Sequence, residues 1–216
     1  TDALKKKGKS INTIVAYKGD INQLIDFLSK KQITEVQSIG PGEIEDFKKD
    51  LTENGYTAKS VSRKLNSIKN FFSFLKDEGK ISLDPSSEVK HPKYENDIPK
   101  ILKPIEYRSL RDACRNDIRA TAIVELMLQA GLRIKEIENL KLDDIKENEV
   151  VIESYESHSQ REVPLNNSAK KALKRYLDEV RGESKVKNVF ITKTGRVLLA
   201  RNIRSLLNRY FNKADI

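Results

Sequence analysis

Four of the chain's six prolines, at positions 85, 92, 99 and 104, fall within residues 82–104, SLDPSSEVKHPKYENDIPKILKP. Proline fixes φ and withholds a backbone N–H, so a segment this rich in it neither continues a helix nor sits inside a sheet. It carries little apolar periodicity, and its length suits a semi-extended linker better than a loop within one domain. The sequence therefore predicts two bodies, residues 1–81 and 105–216, joined by residues 82–104.

The first body reads as helical. Ile14, Tyr17, Ile21, Leu24 and Leu28 recur at steps of three and four over residues 10–29, as one face of a helix does. Ser10 and Asn12 supply start signals. A second helix is expected over 42–54, with Ile44, Phe47 and Leu51 inward and Gly55 closing it. A third, over 57–77, puts Val61, Leu65, Ile68, Phe72 and Leu75 on one stripe, and Gly79 ends it. A short helical piece is expected near 33–38. Lys5, Lys6, Lys7 and Lys9 read as a flexible basic lead-in.

The second body mixes helices with a little sheet. Helices are expected over 105–116, 120–130, 134–140, 167–180 and 200–213. That at 120–130 is almost wholly apolar and suits a buried core. Residues 149–154 (EVVIES) and 161–165 (REVPL) read as two strands of a small hairpin, and 189–192 as a short strand-like run before a turn at Thr194-Gly195. The fold class is mainly α with a small β-hairpin or sheet.

Charge narrows the function. The 216 residues carry 41 basic and 32 acidic groups, a net +9, divided as 17 and 13 over residues 1–93 and as 24 and 19 over the rest. Both bodies would be drawn to a polyanion, with nucleic acid the first candidate. One cysteine, Cys114, excludes an internal disulfide and a cysteine-based zinc cage, and two distant histidines, His91 and His158, make no metal site. No cofactor and no metal is expected. Nothing approaches a membrane span or an apolar signal segment, so the protein is expected in the cytoplasm. The chain opens at Thr1 rather than methionine and stops at Ile216 directly after a helical pattern; it is expected to be a piece of a longer protein.

Two features carry chemistry. Opposite the apolar stripe of the third helix lie Lys59, Ser62, Arg63, Asn66, Lys69, Asn70 and Ser73. Lysine and arginine neutralise phosphates, while serine, asparagine and arginine reach base edges in a major groove. The solvated side of any amphipathic helix has a similar make-up, but acids stay off this face until Asp77. The second feature is Ala130-Gly131-Leu132-Arg133-Ile134-Lys135-Glu136. Gly131 ends the apolar helix, Arg133 emerges at the start of the next one, and Glu136 lies three residues on, placed to hold the guanidinium. An arginine anchored from behind presents its other donors as a rigid fork that suits a phosphate. An ordinary surface Arg–Glu pair has the same spacing.

The string QAGLRIKEIENLKLDDI, followed by EVVIES and REVPL, resembles the first box of the tyrosine recombinases, also called the phage integrase family. AKSVSRKLNSIKNFFSFLKDEGKISLDPSSEVKHPK, IPKILKPIEYRSL and SINTIVAYKGDINQLIDFL resemble the Xer-type members. The resemblance runs from about Ser10 to Phe211. It implies an N-terminal helical core-binding domain and a catalytic domain that close on DNA as a C-shaped clamp, with the catalytic domain only partly present. It also implies a tyrosine that attacks the scissile phosphate to form a 3′-phosphotyrosyl link, cations that stabilise the phosphorane, a hairpin lysine as proton donor, and no cofactor. Arg133 matches the first catalytic arginine and Glu136 the acid that orients it. The partners implied are a duplex DNA site and further copies of the chain, two per site and four in the synapse. A second recombinase or an activator is a further partner to expect.

This chain departs from that pattern twice. Counting back from Arg161, the hairpin lysine's place falls on Glu156, which cannot serve as a protonating cation; His158 sits in the same loop. The later His-x-x-Arg and tyrosine boxes do not appear, and none of the tyrosines at 17, 56, 94, 107, 155, 176 and 210 stands in the nucleophile's context. The 216 residues alone are therefore expected to bind DNA without cleaving it, and the parent protein to be a site-specific recombinase for chromosome dimer resolution or element integration and excision. The alternative is a non-enzymatic DNA-binding regulator or accessory on the same scaffold.

Overall fold

In the computed structural model, which describes residues 2–6, 8–95, 101–156 and 158–216, the chain forms two compact units, Thr1–Ile98 and Pro99–Ile216. Among the described residues no helix is long and apolar enough to cross a membrane.

The first unit contains α1 (Asp2–Lys6), α2 (Ile11–Lys30), α3 (Pro41–Glu53) and α4 (Ala58–Asp77). The expected basic lead-in is thus helical over Asp2–Lys6, and Gly8 has a φ of 67° that suits a residue without Cβ. Side chains cap the long helices: Ser10 Oγ accepts from Thr13 N, and Thr57 Oγ1 from Ser60 N. Pro41 opens α3, where its missing N–H costs nothing. The short piece expected at 33–38 shrinks to one 3₁₀ turn, Val36–Ser38. Leu24, Leu28, Ile44, Phe47, Leu51, Val61, Leu65, Ile68 and Phe72 make one buried core.

The segment expected as linker starts differently. Val89 joins the core of the first unit beside Ile81, the last residue of the expected first body, and Ser86 is fully buried. Asp84 Oδ1 accepts from both the amide and hydroxyl of Ser86, at 2.8 and 2.6 Å, and winds 84–87 into a turn. One valine amid polar residues has no period to reveal it. Residues 96–100 of that segment lie outside the described residues. At its far end Pro104 belongs to a helix, as the first residue of α5.

The second unit contains α5 (Pro104–Cys114), α6 (Ile118–Ala130), α7 (Ile134–Asn139), the antiparallel strands β1 (Glu149–Ile152) and β2 (Arg161–Pro164), α8 (Asn167–Tyr176) and α9 (Ala200–Lys213). The strands pair Val150 with Val163 and Ile152 with Arg161. Ala122, Ile123, Leu126, Ile137, Val150, Tyr176, Phe190 and Ile203 are fully buried around α6. The helix expected over 167–180 is helical throughout, its last turn, Leu177–Arg181, widening into a π turn. Arg181 there is buried and donates to the carbonyls of Val186, Asn188 and Val189. The run 189–192 forms no strand; Ile191 makes a single bridge to Val197.

Candidate functional site

The α6–α7 corner is built by local rules. Gly131 caps α6 at φ 66°, ψ 25°, a left-handed turn that its lack of Cβ permits. Leu132 drops into the core, and Arg133 becomes the N-cap of α7 in extended conformation. Glu136, at the third position of α7, reaches back so that Oε2 accepts from the Arg133 amide at 2.8 Å. The same carboxylate accepts from Arg133 Nη1 at 3.1 Å. The expected arginine–glutamate brace is therefore present.

The hairpin adds what local spacing could not. Arg161 at the start of β2 donates to both oxygens of Glu136, Nη1 to Oε1 at 2.7 Å and Nη2 to Oε2 at 2.8 Å. The Tyr155 hydroxyl donates to Oε1 at 3.3 Å. The Glu136 side chain is 0% exposed, against 56% for Arg133 and 35% for Arg161. Burial pushes the Glu136 carboxyl up, but the bonds from Arg161 and from Arg133's backbone and side chain outweigh it and hold its pKa at about 2. The carboxylate is a fixed anion that sets two guanidinium groups side by side. Arg161 spends its fork on Glu136. Arg133 gives one Nη1 bond to Glu136 and also bears on the Tyr155 hydroxyl.

At the hairpin tip Tyr155 and His158 exchange backbone hydrogen bonds, and their rings lie 4.9 Å apart. Glu156 stands exposed at φ 50°, in the place where the resemblance expects a lysine. Tyr155 is the tyrosine the structure brings to this cluster, and it is a donor there: burial and the Glu136 charge both push its pKa up. Tyr176 and Tyr210 are buried in the core.

The predicted face of α4 divides. Lys59, Asn66 and Asn70 are exposed, with Asn70 Nδ2 donating to the Asn66 carbonyl at 2.7 Å. Ser62 does not face outward as expected: it is 6% exposed, and its hydroxyl meets His91 Nδ1 at 3.0 Å. Lys69 is half-buried and donates to the Ser87 carbonyl, on the segment that follows α4. Arg63 does lie on the exposed face, its side chain 51% exposed, but it is not without partners. Its guanidinium grips Asp20 with two bonds, at 2.7 and 2.8 Å, and Lys64 and Ser67 donate to the same carboxylate. Asp20, at 3% exposed, lies on α2, so Arg63 ties two helices together. Burial raises the Asp20 pKa, but the bonds from Arg63, Ser67 and Lys64 carry it below the usual carboxylate value. Sequence reasoning passed over Asp20 and Arg161 as site residues; the one trace was an acid beside an apolar helical stripe.

Residues 96–216 match the family model described as the phage integrase family, and residues 1–79 match its N-terminal SAM-like domain. Tyrosine recombinase XerC of Anoxybacillus flavithermus is 31% identical over 224 residues, covering 98% of this chain and 74% of the relative. Tyrosine recombinase XerD of Rickettsia bellii is 32% identical over 201 residues, covering 86% and 66%. A lambda integrase dimer bound to a COC′ core site superposes with a TM-score of 0.81 at 17% identity, over 100% of this chain and 78% of that one.

Proposed function

The chain belongs to the phage integrase family, and from that premise we propose that it binds duplex DNA as part of a Xer-type site-specific tyrosine recombinase. The observation that carries this reading is the brace on Arg133: a buried carboxylate fixes one edge of the guanidinium, and the side chain, 56% exposed, is accessible to a phosphate. A preorganised cation of this kind acts where charge develops as an oxygen nucleophile adds to a phosphodiester. Glu136 stays ionised throughout, and Arg161 shares its charge and completes the brace. The exposed residues of α4, Lys59, Asn66 and Asn70, supply phosphate and base contacts from the first unit.

These 216 residues bind DNA and do not cut it. The tyrosine at the cationic cluster, Tyr155, holds its proton against Glu136, and its raised pKa opposes the phenolate that attack requires. Glu156 puts a carboxylate where the leaving 5′-oxygen would need a proton donor. Cleavage belongs to the complete recombinase, which acts in the cytoplasm as two protomers on a site and four in a synapse. A nicked duplex that traps covalent adducts tests the reading. The expected result is a retarded complex with no covalent band on a denaturing gel. No binding to duplex at low salt overturns the recombinase reading, and a covalent band overturns the assignment of Tyr155.

A further inference from the structure

The two oxygens of Glu136 are not used alike. Oε2 accepts two bonds, from the Arg133 amide and from Arg161 Nη2, both at 2.8 Å. Oε1 accepts three, from Arg161 Nη1 at 2.7 Å, Arg133 Nη1 at 3.1 Å and the Tyr155 hydroxyl at 3.3 Å. A carboxylate oxygen offers about two lone-pair directions, so three donors on Oε1 compete and the two longer bonds stand off. An arginine beside an open carboxylate closes on it with two parallel bonds. Arg161 does so on Glu136, and Arg63 does so on Asp20. Arg133 gives its side chain to Glu136 through one bond only.

Two neighbours account for that. Arg161 holds both oxygens, and the Tyr155 hydroxyl crowds the one that Arg133 reaches. The hydroxyl also bears on Arg133 itself, so the phenol meets both members of the pair. Its place is set from outside the α6–α7 corner. Backbone bonds exchanged with His158, at 3.0 and 2.8 Å, close the hairpin tip around Tyr155, and the His158 ring lies 4.9 Å from its own. Tyr155 thus carries the position of the hairpin tip to the arginine.

We propose that Tyr155 is a positioning residue for Arg133: its hydroxyl limits Arg133 to one bond on Glu136 and so keeps the guanidinium, 56% exposed, accessible to a phosphate. The inference rests on the DNA-binding reading. Without the hydroxyl, Oε1 has room for a shorter bond. Arg133 then settles onto Glu136 and gives up donors that would otherwise meet a ligand.

The test is duplex binding at one low salt concentration by the chain, by Tyr155→Phe, Tyr155→Leu and Arg133→Ala, and by Arg133→Ala combined with Tyr155→Phe. Binding is measured at a temperature where thermal melts show every variant folded. Tyr155→Phe should bind about threefold to tenfold more weakly, the worth of one hydrogen bond. Tyr155→Leu, which lacks the ring as well, should match it. In the Arg133→Ala background Tyr155→Phe should change nothing further, because the residue it positions is gone. Wild-type affinity in Tyr155→Phe overturns the inference and leaves the DNA reading standing, whether or not the melt moves. An equal loss in both backgrounds also overturns it, since Tyr155 then acts on its own. A loss in Tyr155→Leu alone assigns the effect to the ring and overturns the role of the hydroxyl. A wild-type chain that does not bind duplex overturns both readings.

Discussion

In each unit a buried carboxylate gathers cations, and the two are used differently. Asp20 in the first unit gathers Arg63, Lys64 and Ser67; Glu136 in the second gathers Arg133, Arg161 and Tyr155. Both carboxylates are almost fully buried and both titrate below their ordinary range. The difference lies in what the cations have left. Arg63 is doubly bonded to Asp20, and Lys64, 11% exposed, gives its ammonium to Asp20 and Gln23. Arg133 has one side-chain bond to Glu136; its exposure, 56%, is close to the 51% of Arg63, so the two arginines differ in their bonds and not in their access to water. An arginine whose fork is consumed within the fold ties elements together; one braced at a single edge is left free to act on something else.

The largest effect that could break this contrast is Asp20→Asn. It keeps the shape but strands Lys64 where water hardly reaches, and should cost about 3–5 kcal/mol in urea unfolding. Glu136→Gln should cost less, about 2–3 kcal/mol, because Arg133 and Arg161 can be rehydrated where they stand. Equal losses would mean that exposure of the partners does not set the cost. The pH dependence follows the same lines. Glu136 has a folded pKa lowered from 4.5 to about 2, so its contribution is complete above pH 4.5 and drains away as pH falls toward 2. Glu136→Gln should flatten that part of the acid unfolding curve, and a curve of unchanged shape would refute the buried-anion account. Smaller again is Ser62→Ala, which removes the partner of His91 and should cost about 1 kcal/mol in the same urea titration, with no change in the Asp20 cluster.

The two carboxylates also show how far a sequence can be read. The Arg133–Glu136 brace was legible because it spans three residues and follows capping geometry, as were the apolar stripes of α2 and α4. The rest depends on chain folding. Arg63 and Asp20 are 43 residues apart, Arg161 and Glu136 25, and Ser62 and His91 29. No periodicity links such pairs, so the sequence showed neither the burial of Ser62 nor the partner of the exposed Arg63. The burial of Val89 is of the same kind: it is a single apolar residue whose place depends on a core assembled from α2, α3 and α4.

Paired measurements on Arg133→Ala and Arg63→Ala test the contrast most directly, with urea midpoint and duplex salt slope recorded for both. The account predicts that Arg133→Ala keeps its midpoint to within about 1 kcal/mol and loses about one unit of slope. Arg63→Ala should lower the midpoint and keep the slope, measured where it remains folded. An unchanged slope in Arg133→Ala would contradict the claim that its open fork is the phosphate contact.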